Sequence, residues 1–168
     1  MDYKIRKAVF EDIDLIQDIM DEITAGMSDS AHFVGSDRDY IMSHIEESGV
    51  TYLLTDDRRV MGFIIIDYPD KAEHNLGLDI DLAATDLAGV VHMDTIVVLP
   101  EFRGQGLQRV MLEYGEIQMK ECGYKHLMGT VHPDNIASLK SFIGCGYVIE
   151  KTKVKYDGYL RHILRKQI

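Results

Sequence analysis

Cysteine is scarce in this chain: it has 2, Cys122 and Cys145, and no CxxC pair. That excludes a disulfide framework, and the expectation is two reduced thiols packing as small hydrophobes near the ends of helices. Basic residues are also few. Lys and Arg number 18 against 28 Asp and Glu, a net charge of −10 with no basic block, which argues against a nucleic-acid partner. Long apolar runs are missing. The longest, around Met61 to Ile66, is far too short to span a bilayer. The opening Met1-Asp2-Tyr3-Lys4 has no apolar signal region, so cytoplasm and no membrane partner are the expectations. The histidines show neither HExxH nor Cys/His ligand spacing, so no metal is expected. Internal repeats, low-complexity tracts and linkers are absent.

What remains is an ordinary soluble composition in 168 residues, enough for one domain, 1–168, with a single core. Strand and helix signals alternate, which predicts an α/β or α+β domain. Tyr3 to Val9 reads as a strand. Asp12 is placed to cap a helix with Ile13, Ile16, Met20 and Ile23 on one face. Gly26 to Gly35 reads as a polar loop. Ser36 and Asp39 form a capping-box pattern before a helix through Ile41 and Ile45 that stops near Gly49. Val50 to Thr55 and Val60 to Tyr68 predict a hairpin turning at Asp56-Asp57-Arg58-Arg59. The acidic stretch Pro69 to Ala88 has no clear period and reads as a long surface loop. Gly89 to Leu99 is the central strand. The helix after it buries Leu107, Val110, Met111, Tyr114 and Ile117 and stops at Gly123. His126 to Val131 is a strand. Asn135 to Cys145 is a short helix with Ile136, Leu139 and Ile143 inward. Tyr147 to Val154 and Leu160 to Lys166 close as a hairpin through Asp157-Gly158. Met111, Met119 and Met128 have core-like spacing.

The stretch from Val97 to Gln108, VVLPEFRGQGLQ, carries the chemistry. A strand hands over to a helix through a glycine loop. Such a junction leaves backbone N–H groups without intrahelical partners at the positive end of the helix dipole, which makes an anion site suited to phosphate. Arg103 adds a forked, permanent cation. A Walker-type loop needs GxxxxGK[ST], which is absent. The dinucleotide fingerprint needs a third glycine where Arg109 stands. A nucleotide-binding module of another kind stays open on the loop alone.

The loop and the order of elements resemble the GNAT superfamily of acetyl-CoA-dependent N-acetyltransferases. The superfamily signature is Q/R-x-x-G-x-G/A after the central strand. Arg103 and Gly106 match it, and Gln108 replaces the small last residue. A second block, Asn135-Ile-Ala-Ser138 through Phe142 to Gly146-Tyr147, resembles the family's NxxAxxxYxxxGF. The resemblance runs from the first strand to the last hairpin. It implies a GNAT fold: a mixed, mostly antiparallel central sheet flanked by helices, with splayed strands at the cofactor site.

It further implies acetyl-CoA as cofactor, and transfer of acetyl to a primary amine on a small molecule or peptide by direct attack. The backbone of Ile96, Val97 and Val98 would pair with pantetheine. Arg103, Gly104, Gln105, Gly106, Leu107 and Gln108 would take the pyrophosphate, and Gln108 in place of a small residue matters little if its side chain points away, because the backbone N–H makes the contact. Asn135, Ser138 and Phe142 would add cofactor contacts. The family's base often stands at a position matching His92 or Asp94, and strand alternation aims His92, Asp94 and Ile96 the same way. The family's tyrosine acid is Phe142 here, which cannot donate a proton. That keeps open a non-catalytic acyl-CoA-binding or sensing domain. His132 reads as a local hydrogen-bonder at the gap. Tyr156, Tyr159 and Arg161 suit an acceptor pocket, a homodimer contact or an ordinary exposed hairpin. The acceptor itself has no motif.

Overall fold

A computed structural model describes residues 3–26, 36–56, 59–155 and 158–168. The strands are β1 (Lys4–Lys7), β2 (Gly49–Thr55), β3 (Val60–Asp67), β4 (Val90–Val98), β5 (His126–Val131), β6 (Val148–Lys155) and β7 (Tyr159–Gln167). The helices are α1 (Ile13–Ala25), α2 (Arg38–Glu46), the single turn α3 (Leu76–Asp79), α4 (Leu107–Glu121) and α5 (Ile136–Gly144). The strands form one open sheet in the order β1-β2-β3-β4-β5-β7-β6, antiparallel throughout except for the β4–β5 pair. Residues 27–35, Asp57, Arg58, Tyr156 and Asp157, which carry the expected polar loop and parts of both hairpin turns, lie outside the described residues.

Two apolar layers enclose the sheet. On one face α1 and α2 set Ile16, Met20, Ile41 and Ile45 against Leu53, Phe63, Ile65 and Val97. On the other, α4 and α5 bring Met111, Leu112, Met119 and Phe142 onto Leu54, Ile64, Ile66, Val91, Met93 and Leu127. The expected stripe of α1 is buried as read. The stripes of α4 and α5 are rotated from the expected ones. Ile117 is exposed while Leu112, Gly115 and Met119 are buried, because α4 lies close on the sheet: a Cβ on Gly115 would stand 2.6 Å from Met93 Cε. In α5, Ile136 and Ile143 are exposed and Phe142 is buried, its ring filling the notch above Gly129. Met128 is buried with the rest of the core methionines, whereas of the two thiols only Cys145 is buried and Cys122 is exposed.

Two caps differ from expectation. Asp12 stands at the start of α1, but its carboxylate accepts from Arg6 twice at 2.7 Å and from the Val9 amide at 2.9 Å. It therefore caps the preceding short turn, Phe10–Asp12. Asp37, not Ser36, caps α2, accepting from the Tyr40 amide at 2.8 Å.

The stretch 69–88 is folded over the sheet rather than looped away from it. Asn75, 1% exposed, organises it: its amide donates to the carbonyls of Asp70 and Leu87, and its oxygen accepts from the Gly77 N–H at 2.8 Å. This drops Leu76 onto Val90, Met128 and Ile163 as a third small core. Lys153 and Lys155 clamp Asp79 at 2.6 and 2.5 Å, tying the stretch to β6.

Candidate active site

Strands β4 and β5 pair only from Val90↔His126 to His92↔Met128, although β4 runs on to Val98 and β5 to Val131. Beyond that point they part. The gap opens into a groove of about 480 Å³. Ile96, Val97 and Val98 form one wall, Arg103, Gly104, Gly106, Leu107 and Gln108 the mouth, and Asn135, Ser138 and Ser141 the far side. The Leu99 N–H turns to β3, reaching the Met61 carbonyl at 3.0 Å. Strand alternation then directs the N–H groups of Ile96 and Val98 into the gap.

The mouth is built from the positive end of α4. Gly104 and Gly106 take left-handed φ of 76° and 75°, a conformation glycine adopts without penalty. A Cβ at either would meet nothing within 4 Å, so the loop faces open space. No side chain among the described residues caps α4, and its first backbone bond, from the Val110 N–H to the Gly106 carbonyl, leaves the Leu107, Gln108 and Arg109 amides ahead of it. Arg103 is held there by donating Nε–H to the Val98 carbonyl at 3.1 Å. The expected cofactor residues thus converge, with four departures. By the same alternation the Val97 N–H turns to β3, not to the gap. Gln105 is exposed and outside the groove lining. Phe142 is buried behind the groove, edge-on to Tyr147. The condition that the Gln108 side chain points away is not met: its Nε2 donates to Ser138 Oγ at 2.9 Å, linking α4 to α5 across the groove. Asn135 caps α5 through the Ser138 amide at 3.2 Å.

The expectation that His92, Asp94 and Ile96 share a face is overturned. The β3–β4 register runs Ile65↔Thr95 and then Ile66↔Met93, so Asp94 is an extra, unpaired residue at a bulge. Before it Val91 and Met93 face α4; after it Ile96 and Val98 do. One added residue inverts the alternation. His92 therefore points to the α2 side, and Asp94 is pushed out to solvent, the one exposed residue of β4.

His92 is buried and both its nitrogens are used. Nε2 accepts the Leu76 N–H at 3.0 Å, and Nδ1–H donates to Asp67 Oδ2 at 3.0 Å. It has no lone pair for a substrate proton, which removes it as the base. Asp67 also meets His74 Nε2 at 3.2 Å and His44 Nε2 at 3.1 Å. Asp67, His74 and His92 bring ligand atoms within 4.8 Å, the makings of a metal site. The Leu76 amide speaks against it, since a metal on His92 Nδ1 would drive the proton to Nε2, opposite another N–H. Sequence spacing does not reveal this cluster because its members come from β3, β4 and the stretch between them.

His44 has an oxygen at each nitrogen: the Tyr40 carbonyl at 2.7 Å from Nδ1 and Asp67 Oδ1 at Nε2. Ser43 Oγ also lies 3.0 Å from Nδ1, and the two oxygen acceptors favour the protonated ring. Burial opposes that charge, but the bond to Asp67 and that to the Tyr40 carbonyl prevail, so its pKa is raised. Asp67 is lowered well below the usual carboxylate range: burial opposes ionisation, and the bonds from His44 and His92 outweigh it. His132 is a local hydrogen-bonder, accepting the Asp134 N–H at Nδ1 at 3.1 Å. Arg161 is buried, its guanidinium 5.5 Å from the Tyr159 ring centre.

The fold recurs in solved structures. The ribosomal-protein-S18-alanine N-acetyltransferase of Escherichia coli superposes with a TM-score of 0.73 at 18% identity, over 99% of this chain and 94% of that one. The protein YncA of Salmonella typhimurium, crystallised with its cofactor acetyl-CoA, gives 0.74 at 16% over 99% and 94%. A GNAT-family acetyltransferase of Streptococcus pneumoniae gives 0.76 at 16% over 99% of both chains. No curated protein matches significantly. Among the described residues no helix is long and apolar enough to cross a membrane. The acetyltransferase (GNAT) family profile matches residues 15–147, most of the chain, and this protein belongs to that family.

Proposed function

We propose that this protein transfers acetyl from acetyl-CoA to a primary amine by direct attack. The observation that carries the reading is the groove between the diverging ends of β4 and β5, which runs to the uncapped start of α4. Acetyl-CoA supplies an activated acetyl thioester. The amides of Leu107, Gln108 and Arg109, with Arg103, hold its diphosphate. The N–H groups of Ile96 and Val98 would hold the pantetheine arm and supply a donor to the thioester carbonyl oxygen. A preorganised donor there is worth roughly 3–4 kcal/mol at comparable oxyanion sites.

Asp94, at the bulge before this wall, takes the proton from the acceptor ammonium. The freed amine attacks the thioester carbonyl: the C–N bond forms, its second proton passes to solvent, the C–S bond breaks and the thiolate leaves. Phe142 offers it no proton, so solvent does. An ordinary thiol pKa of roughly 8.5 makes that route adequate.

The experiment is CoA release on a panel of amines, run beside acetyl-CoA titration. The proposal expects binding and turnover. Acetyl-CoA binding without CoA release on any amine supports the sensing reading that Phe142 motivates. Arg103→Ala is expected to weaken acetyl-CoA binding by about 10–100-fold, the loss of a charge-assisted hydrogen bond to a phosphate. Unchanged affinity in calorimetry removes Arg103 from the phosphate site.

A further inference from the structure

Asp94 is not left to wave at the rim. Tyr40, on α2 beside the buried Ile41, donates its phenol O–H to Asp94 Oδ2 at 2.6 Å, and Thr95 Oγ donates to the same oxygen at 3.0 Å. The Tyr40 ring is itself fixed. One turn on, the His44 ring stacks on it at 3.9 Å and 27°, and His44 is pinned from behind by buried Asp67, which His92 and His74 hold in turn. A polar array thus runs from the core of β3 through α2 to the bulge of β4. No step of acetyl transfer described above uses Tyr40, His44 or Asp67. Both bonds fall on Oδ2, which leaves Oδ1 of this exposed carboxylate without a donor among the described residues.

We propose that Tyr40 is a positioning residue that presents Asp94 Oδ1 as a receptor for ammonium, so that the acceptors are alkylamines charged at neutral pH and not neutral arylamines. This rests on the acetyltransferase reading and narrows its acceptor class. An exposed carboxylate with one oxygen already doubly bonded keeps a fixed lone-pair direction at the other. A charged N–H donor gains most from such a partner. The His44 ring stacked on the phenol restricts its movement and keeps the O–H aimed at Asp94. The surplus of acidic groups, −10 overall, favours the approach of a cation.

The test is steady-state kinetics of the full chain with acetyl-CoA. The ammonium acceptors are spermidine, phenethylamine, kanamycin and a lysine peptide, and the neutral one is aniline. Wild type is expected to favour its best ammonium acceptor over aniline by at least about 100-fold in kcat/KM. Tyr40→Phe keeps the stacked ring and loses only the O–H. It is expected to raise KM for the ammonium acceptor about tenfold, leaving KM for acetyl-CoA and the rate with aniline within about twofold. In an Asp94→Asn background the same change is expected to do nothing more, because Tyr40 acts through Asp94. Equal use of aniline, an unchanged KM in Tyr40→Phe, or an effect that persists in Asp94→Asn overturns the proposal. A wild type that acetylates no amine overturns the acetyltransferase reading beneath it, a result distinct from an active wild type indifferent to Tyr40.

Discussion

Asp94→Asn is expected to lower kcat for the acceptor amine by about 100-fold or more at neutral pH, the range that loss of a positioned base produces. Affinity for acetyl-CoA should stay within about twofold, because Asp94 stands outside the groove lining. The expectation follows from the bulge. In a regular β4 residue 94 would be paired with β3 and packed; here it has no partner strand residue and its carboxylate is exposed. Asparagine keeps the size and accepts the Tyr40 hydrogen bond, so the fold should be undisturbed. What it loses is charge and basicity. Wild-type turnover in Asp94→Asn, read by CoA release, would show that the base lies elsewhere.

Asp67→Asn is expected to be as damaging, but to stability. Breaking a buried charged pair by removing one partner costs about 3–5 kcal/mol, since the other charge is left without compensation. Asp67 is 6% exposed, His44 3% and His92 5%, so water cannot replace the lost carboxylate. Chemical denaturation should show a lower midpoint with an unchanged slope. The wild type should also carry a pH signature. Asp67 has a depressed pKa, so its contribution is full above the unfolded value of about 3.9 and is lost as pH falls. His44 has a raised pKa, so its contribution is full below about 6.5 and fades as pH rises through the folded value. Stability from this array should therefore peak between about pH 4 and 6.5 and decline on both sides. Asp67→Asn should flatten that profile. A variant with wild-type midpoint and profile would contradict the assigned charges.

Much of the architecture is legible in the residues because it depends on local signals. Apolar periods mark the seven strands and the long helices, and positive-φ glycines mark the loop before α4 and the stop at Gly123. The loop proposed to hold the diphosphate is legible for the same reason: glycine, arginine and helix start lie within a few residues. What is not legible depends on long-range geometry. The bulge at Asp94 reverses which side chains face α4, yet nothing in VVHMDTIVV announces an extra residue; it is fixed by the register against β3. The stretch from Pro69 to Ala88 lacks a period because one buried side chain, Asn75, organises it. The Tyr40–Asp94 bond joins residues 54 apart in sequence, and no spacing rule connects them. The inward face of α5 depends on the space that Gly129 leaves for Phe142.

The most direct test of the central claim is isothermal titration of the intact protein with acetyl-CoA. One molecule bound per chain, displaced by CoA, is the predicted result. A titration without heat, together with no rise in thermal midpoint at millimolar acetyl-CoA, would mean that the groove between β4 and β5 serves some other ligand.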